Sequence, residues 1–413
     1  MSYNEDKNIL RELAKEVADI AALPVQEEKR ALWRKSNGLK QVRPMVMIDQ
    51  VCWPEMDFDG FLTPRCEDKQ LRGYETSLRR TLYQWKYFPV DRAVEPYIRV
   101  NKAINNTNYG LVTKEEILAT DIKSEVLSHR YIDQLVNDDD LVKITMPKIT
   151  HDTAETARRL ETAHDIFDGV IDVKPAGSAP GMRLWDPIAT FKGVENSCYA
   201  LADNPDFMHR LLKKMMWSFT GMLDQLEEQG LLMDARFQTD IHCTGAYTDE
   251  LPAPGYNPEK PRCKDLWTSG AAQMFSNVGP AMHQEFSLDY ENPIYARFGL
   301  INYGCCEPLD RKLDIVTKIP NVRKISMSPW VNPERGAEGL GPKFIYCGKP
   351  NPAFVASTSF DDDIVRKELT QIKKACARYN CPLELILKDV STVKYQPQRL
   401  FRWAEIAMEV AAS

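Results

Sequence analysis

Two adjacent thiols and a carboxylate, Cys305, Cys306 and Glu307, close the segment Phe298-Gly-Leu-Ile-Asn-Tyr-Gly-Cys-Cys-Glu-Pro308. Deprotonated sulfur is both a nucleophile and a soft metal ligand, and a carboxylate adds an oxygen donor or an acid. The apolar run 298–301 reads as a short buried strand that breaks at Gly304 into a tight turn. α/β enzymes keep their chemistry at strand C-terminal ends, so the tip reads as a place for thiolate chemistry or metal ligation, weighed against a structural turn.

Other strand-like runs end in groups of the same kind. Asp240, His242 and Cys243 close the run 237–242, and Ser326 and Ser328 follow 322–326. Cys347 and Lys349 follow 343–346, and Lys388 and Asp389 follow 383–387. A catalytic tetrahedral zinc takes three protein donors and leaves one position open. His242, Cys305 or Cys306, and Asp389 or Glu307 are the donors that a shared mouth would bring together. Asp240 would orient His242 or act as an acid. Bland readings stand beside these. His242 also suits a hydrogen-bonded core, and alternation along a strand turns Cys243 away from it. The same alternation keeps Cys305 and Cys306 off one ion unless the turn bends both inward. Glu307 equally suits the start of a helix over 309–316. The acids 361–363 read as a helix N-terminus, and Cys376 and Cys381 as packing residues. Trp53, Trp267, Trp330 and the segment 266–276, with Phe275, could cover a flat apolar ligand or belong to the core.

The elements that must position these groups are eight strand-like runs: 43–48, 97–100, 170–177, 237–242, 298–302, 322–326, 343–346 and 383–387. Helical patterns separate most of them, and that alternation predicts an α/β fold, a (β/α)8 TIM barrel over residues 41–413. Residues 1–40 read as an N-terminal helical extension, divided at Pro24. A helix capped by Thr150 or Asp152 runs to about Phe167. Another starts at Asn204-Pro205 and ends at Gly230, its methionine-rich stripe facing the core. No Gly-rich dinucleotide fingerprint follows the first run. The Pro-rich stretch 252–261 reads as a loop insertion or a lid.

Composition narrows the function classes. With 413 residues, 43% hydrophobic, 27% charged and a net charge of -6, the chain has no basic footprint, and no nucleic-acid partner is expected. No apolar run approaches the roughly 20 residues that span a membrane. The polar start Met1-Ser-Tyr-Asn-Glu carries no secretory signal, and ten scattered cysteines suit reduced thiols in a cytoplasm.

Four segments together resemble the uroporphyrinogen decarboxylase superfamily: Arg43-Pro-Met-Val-Met-Ile48, Asn302-Tyr-Gly-Cys-Cys-Glu-Pro308, Ile319-Pro-Asn-Val-Arg-Lys-Ile-Ser-Met-Ser-Pro-Trp330 and Lys343-Phe-Ile-Tyr-Cys-Gly-Lys-Pro-Asn-Pro352. The likeness runs from about Pro44 to the C-terminus, weakest in the middle, and implies a barrel with its site at the C-terminal mouth. The decarboxylase branch carries an early Arg-Gln-Ala-Gly-Arg motif, but this chain has Asp49-Gln-Val-Cys-Trp53, so porphyrinogen decarboxylation is not expected. The zinc methyltransferase branch carries His-x-Cys after a middle strand and a later Cys. Here Tyr303-Gly-Cys305 and Lys388-Asp389 stand in those places, and only Cys305 matches.

The resemblance therefore implies a methyltransferase of the corrinoid-dependent, O-demethylase kind. It would pass a methyl group from a small methylated substrate, such as a methoxylated aromatic, to a corrinoid on a partner protein. Zinc or an acid would activate the leaving group. Any metal would be drawn from His242, Cys305, Cys306 and Asp389, with Asp240 and Glu307 as catalytic acids. Trp53, Trp267, Phe275 and Tyr303 would line the donor pocket, and relatives imply a homodimer. The alternatives are a metal-independent decarboxylase, anchored by Arg323 or Lys324, and a non-catalytic ligand-binding barrel.

Overall fold

The computed structural model describes residues 3–118 and 128–413. Its centre is a six-stranded parallel sheet of β1 (Met45–Ile48), β4 (Trp267–Gly270), β5 (Leu300–Tyr303), β6 (Val322–Met327), β7 (Ile345–Gly348) and β8 (Leu383–Leu387). The order is β1-β8-β7-β6-β5-β4, with every ladder parallel. Apart from the first two residues of β6, these strands are buried throughout, as a parallel sheet covered on both faces demands. A separate parallel pair, β2 (Tyr97–Asn101) with β3 (Asp172–Ala176), is linked toward β4 by the single bridges Ser178↔Leu232 and Met182↔Gly270.

The α/β fold and its parallel sheet agree with the sequence, but among the described residues no continuous ladder of eight closes a ring. Part of the reason is local: polar residues outside the ladder take up backbone groups at one position on each outer edge. At β1 the Asp91 carboxylate accepts the Val46 N–H at 2.7 Å while the Asp91 N–H donates to the Val46 carbonyl at 2.8 Å. At β4 the Gln238 amide stands in for a strand, donating to the Trp267 carbonyl at 3.0 Å and accepting the Trp267 N–H at 2.9 Å. Backbone groups that would otherwise need a neighbouring strand are thereby satisfied.

The run 237–242 is not a sheet strand, contrary to expectation. Ala235–Phe237 is a 3-10 turn, and Asp240–Ile241 pairs antiparallel with Thr244–Gly245. His242 and Cys243 form the turn between them at φ 42° and 70°, a left-handed pair of the kind that two-residue hairpins require. The missing strand is β4, in the segment that reads from sequence as a cover. Small residues hide it: a Cβ on Gly270 would lie 1.9 Å from the Tyr295 hydroxyl.

The helices fall closer to expectation. α1 (Tyr3–Ala21) and α2 (Pro24–Asn37) divide at Pro24, and α3 (Lys69–Tyr87) packs on α1. α4 (Thr153–Phe167) is capped by the Asp152 carboxylate. α5 (Pro205–Glu228) is capped by Asn204 and buries Met208 and Met215. The acids before α6 (Asp362–Arg378) do cap it, through Asp361. The expected helix over 309–316 shrinks to Leu313–Val316. The loop 252–261 leads into the N-terminal end of β4 and is tied down through Tyr256 Oη, 2.6 Å from Asp234. It approaches the sheet from the end opposite the thiols, which removes it as a lid.

Inside the sheet's concavity Lys324 is fully buried. Its ammonium donates to Glu384 at 2.7 Å, to the Gly245 carbonyl at 2.7 Å and to Thr244 Oγ1 at 3.2 Å. The Trp33 and Trp267 rings lie 5.1 Å and 5.3 Å from it. This group fastens the hairpin to β6 and β8, with Trp33 of α2 packed so closely that a Cβ on Gly245 would fall 2.5 Å from its ring. Removing one partner of such a pair strands a buried charge. Lys324→Met should therefore lower unfolding free energy by about 3–5 kcal/mol in urea titrations. A loss well under 1 kcal/mol would contradict this account.

Candidate active site

The thiol turn is set by Gly304, at φ 96°, whose N–H donates to the Gly270 carbonyl at 2.7 Å. A side chain there would run into Leu309, so only glycine permits the turn. Glu307 is sealed beneath it. One carboxylate oxygen accepts the Cys305 N–H at 3.0 Å and the other the Ala272 N–H at 3.2 Å. Burial pushes its pKa up to about 7. With no exposed atoms, Glu307 holds the turn in shape, so neither the expected acid role nor the helix-start role describes it.

Above it, Cys305 Sγ and Cys306 Sγ stand 3.5 Å apart. The Lys388 ammonium lies 3.4 Å from the first sulfur and 3.7 Å from the second, and it also contacts the Asp389 carboxylate. Asp389 Oδ2 is 3.5 Å from Cys306 Sγ. The hydrogen bond from Cys306 holds the Cys305 pKa far below the ordinary thiol value against the pull of burial, with His242 and Lys388 adding to it. Cys306, giving that hydrogen bond, is pushed up. Burial opposes the charge on Lys388, but Cys305 and then Asp389 outweigh it and raise its pKa. The arrangement is a thiolate–ammonium pair with a neighbouring neutral thiol. Cys305 is buried and Cys306 exposed. A cavity of about 320 Å³ lies over them, bounded by Lys349, Pro329, Pro350 and Trp330, a residue 72% exposed.

His242 reaches the site from the hairpin. Its Nδ1 lies 2.5 Å from the Arg183 guanidinium, which can only donate. Nδ1 must then accept, which puts the neutral ring's proton on Nε2. Burial lowers the imidazole pKa, opposed in part by hydrogen bonding with Cys305. A histidine that ligates a metal normally donates its other N–H to an acceptor. His242 has the opposite arrangement and is set up as a donor toward the thiolate side. Among the described residues no group of three or more His, Cys, Asp and Glu stands in metal-holding geometry, and the ammonium already neutralises the sulfurs. Zinc on His242, Cys305, Cys306 and Asp389 does not fit this arrangement.

The other expected site residues lie elsewhere. Asp240 is exposed beside Arg99, 3.7 Å away, on a separate cavity of about 700 Å³ with Trp85 and Tyr97, and does not orient His242. Trp53 is half-buried under Arg80 and edge-on to Tyr83. Trp267, Phe275 and Tyr303 are fully buried: Trp267 beside Lys324, Phe275 against Trp185, and Tyr303 with its hydroxyl 2.6 Å from His283. None of the four lines the cavity over the thiols. The decarboxylase anchors are also spent, with Lys324 in the core and Arg323 paired with Glu250. Sequence reasoning placed Lys388 at a strand end without giving it a role. It missed Arg183, which sits in an irregular segment with no pattern to mark it.

No protein-family model matches the chain, and no curated protein matches it in sequence. In fold it is similar to a methyltransferase from Methanosarcina mazei at 9% identity, with a TM-score of 0.52 over 93% of this chain and 98% of that one.

The thiolate assignment predicts that iodoacetamide labels Cys305 at a rate nearly independent of pH from about 8 down to about 6. Cys306→Ala should restore the usual fall in rate as pH drops, since the hydrogen bond that lowers the Cys305 pKa most is then gone. Peptide mass spectrometry reads both. Stoichiometric zinc that shields the two thiols from labelling would overturn the assignment.

Proposed function

We propose that the chain is a methyltransferase that takes a methyl group from a small methylated substrate, of the methoxylated aromatic class, and passes it to a corrinoid carried by a separate protein. The observation that carries this reading is the Lys388 ammonium paired with Cys305 and Cys306 under a small cavity at the sheet's C-terminal edge. The likeness of fold to a methyltransferase supports it.

A methyl ether reacts slowly because the alkoxide or phenolate leaves badly, and fixed positive charge at the developing oxyanion lowers the barrier. Lys388 and Lys349 both border the cavity and are nearly buried, so their charges act with little screening. Lys349 donates to Cys347 Sγ at 3.2 Å, and its pKa is raised against burial by Cys347 and Cys243. Two lysines that stay protonated serve as oxyanion stabilisers in place of a metal. Trp330, Pro329 and Pro350 give flat apolar walls suited to an aromatic ring. The corrinoid, when its carrier docks, supplies the methyl acceptor, and this chain's part is to hold the donor and balance the leaving charge.

The Cys305 thiolate favours a second reading, in which sulfur takes the methyl first. The methyl C–O bond breaks, an S–C bond forms, and the oxyanion leaves toward Lys388. Both readings predict that Lys388→Met lowers kcat for demethylation by about 10²- to 10³-fold in a folded protein. They part in the absence of any corrinoid carrier, where only the second leaves Cys305 heavier by about 14 Da. Unchanged kcat in Lys388→Met would end both.

A further inference from the structure

We propose that Cys305 and Cys306 form a reversible oxidative modification site, in which a hydroperoxide joins them as a vicinal disulfide. The inference does not depend on which reaction the cavity carries out. It rests on where sulfur, cation and solvent meet. The two sulfurs are 3.5 Å apart, so about 1.5 Å of movement brings them to bonding distance. Lys388, 3.4 Å from Cys305 Sγ, keeps that sulfur in its nucleophilic form and can protonate a leaving oxyanion. Asp389, 3.5 Å from Cys306 Sγ, is placed to receive the second thiol's proton. Cys306 is exposed and the cavity admits a small oxidant to both. Cys376 and Cys381, in contrast, are both buried.

The chemistry balances. Cys305 sulfur attacks the terminal oxygen of the hydroperoxide, forming an S–O bond as the O–O bond breaks. The departing alkoxide or hydroxide takes a proton from Lys388, so sulfur is oxidised to a sulfenic acid and the peroxide is reduced to an alcohol or water. Cys306 sulfur then attacks that sulfenic sulfur and its proton passes by way of Asp389 to the leaving hydroxide, releasing water and closing the disulfide. Adjacent residues hold their Cα atoms about 3.8 Å apart across a trans peptide, closer than the roughly 4.4–6.8 Å usual for disulfides. The ring is therefore strained and readily reduced, which suits a switch better than a staple. Closing it removes the anion beside Lys388 and rearranges the floor of the cavity.

The test treats the full chain with stoichiometric hydrogen peroxide and reads intact mass and peptide linkage. The wild type should lose about 2 Da, mapped to Cys305–Cys306, and recover its mass with dithiothreitol. Cys306→Ser should instead gain about 16 Da at Cys305, trappable by a sulfenic-acid reagent. Cys305→Ser should remain unmodified under the same dose. A 2 Da loss that persists in Cys305→Ser, a link mapped to Cys376–Cys381, or direct conversion of Cys305 to sulfinic acid with no disulfide would each overturn the proposal. Circular dichroism of both variants guards against misfolding as the cause.

Discussion

A lysine ammonium closed off from the surface is the constraint around which this molecule is arranged. Lys324 has no exposed surface, so its charge must be met inside the protein or given up. Glu384, Thr244 and the Gly245 carbonyl meet it, and two tryptophan rings face it. Burial alone would drive the proton off, and the carboxylate is what opposes that. To make these contacts the chain must bring the 240–245 hairpin into the concavity of the sheet. The hairpin's turn, in an unusual left-handed conformation, then carries His242 and Cys243 toward the strand ends. A core interaction thus determines where a functional side chain stands.

A second lysine, two strands away in the sheet order, does related work in a different setting. Lys388 also lies among anionic partners, but these are a thiolate and an exposed carboxylate at the rim of a cavity. Lys324 is surrounded by buried groups of the core, so it holds structure. Lys388 is paired with groups that can react, so the same kind of ion pair becomes chemistry. Arg183 adds to this by fixing the proton of His242 on the nitrogen that does not face it. Charge has been placed so that the Cys305 sulfur is held as a thiolate beside an ammonium.

Much of this was legible in the sequence, and the parts that were not share a cause. The β5 run and its Cys305-Cys306 turn could be found because an apolar stretch ends abruptly in glycine and thiols. α5 announced itself by its Asn-Pro start and apolar stripe, and Pro24 divided the first two helices. β4 was misread because Thr268, Ser269 and Gly270 are small and polar, fitting a crowded interior rather than an apolar pattern. The run 237–242 was misread for the opposite reason. It looks extended and apolar enough, but the positive φ of His242 and Cys243 is imposed by tertiary contacts that no local pattern records. The neighbour that fixes the His242 proton, Arg183, was not legible because it is distant in sequence and set in an irregular loop.

The side-chain caps on the two outer strands have a further consequence. An open parallel sheet offers a template at each margin, and another chain could lengthen it by adding a strand. Here one margin is occupied by the carboxylate of Asp91 and the other by the amide of Gln238, each imitating a peptide for a single residue. One margin is thereby blocked at Val46 and the other at Trp267, while Met182 continues the second margin by a single parallel bridge to Gly270. That leaves the interior wide enough to admit a hairpin from outside the sheet. A sheet whose margins are blocked in part by polar residues leaves room for the hairpin that carries His242.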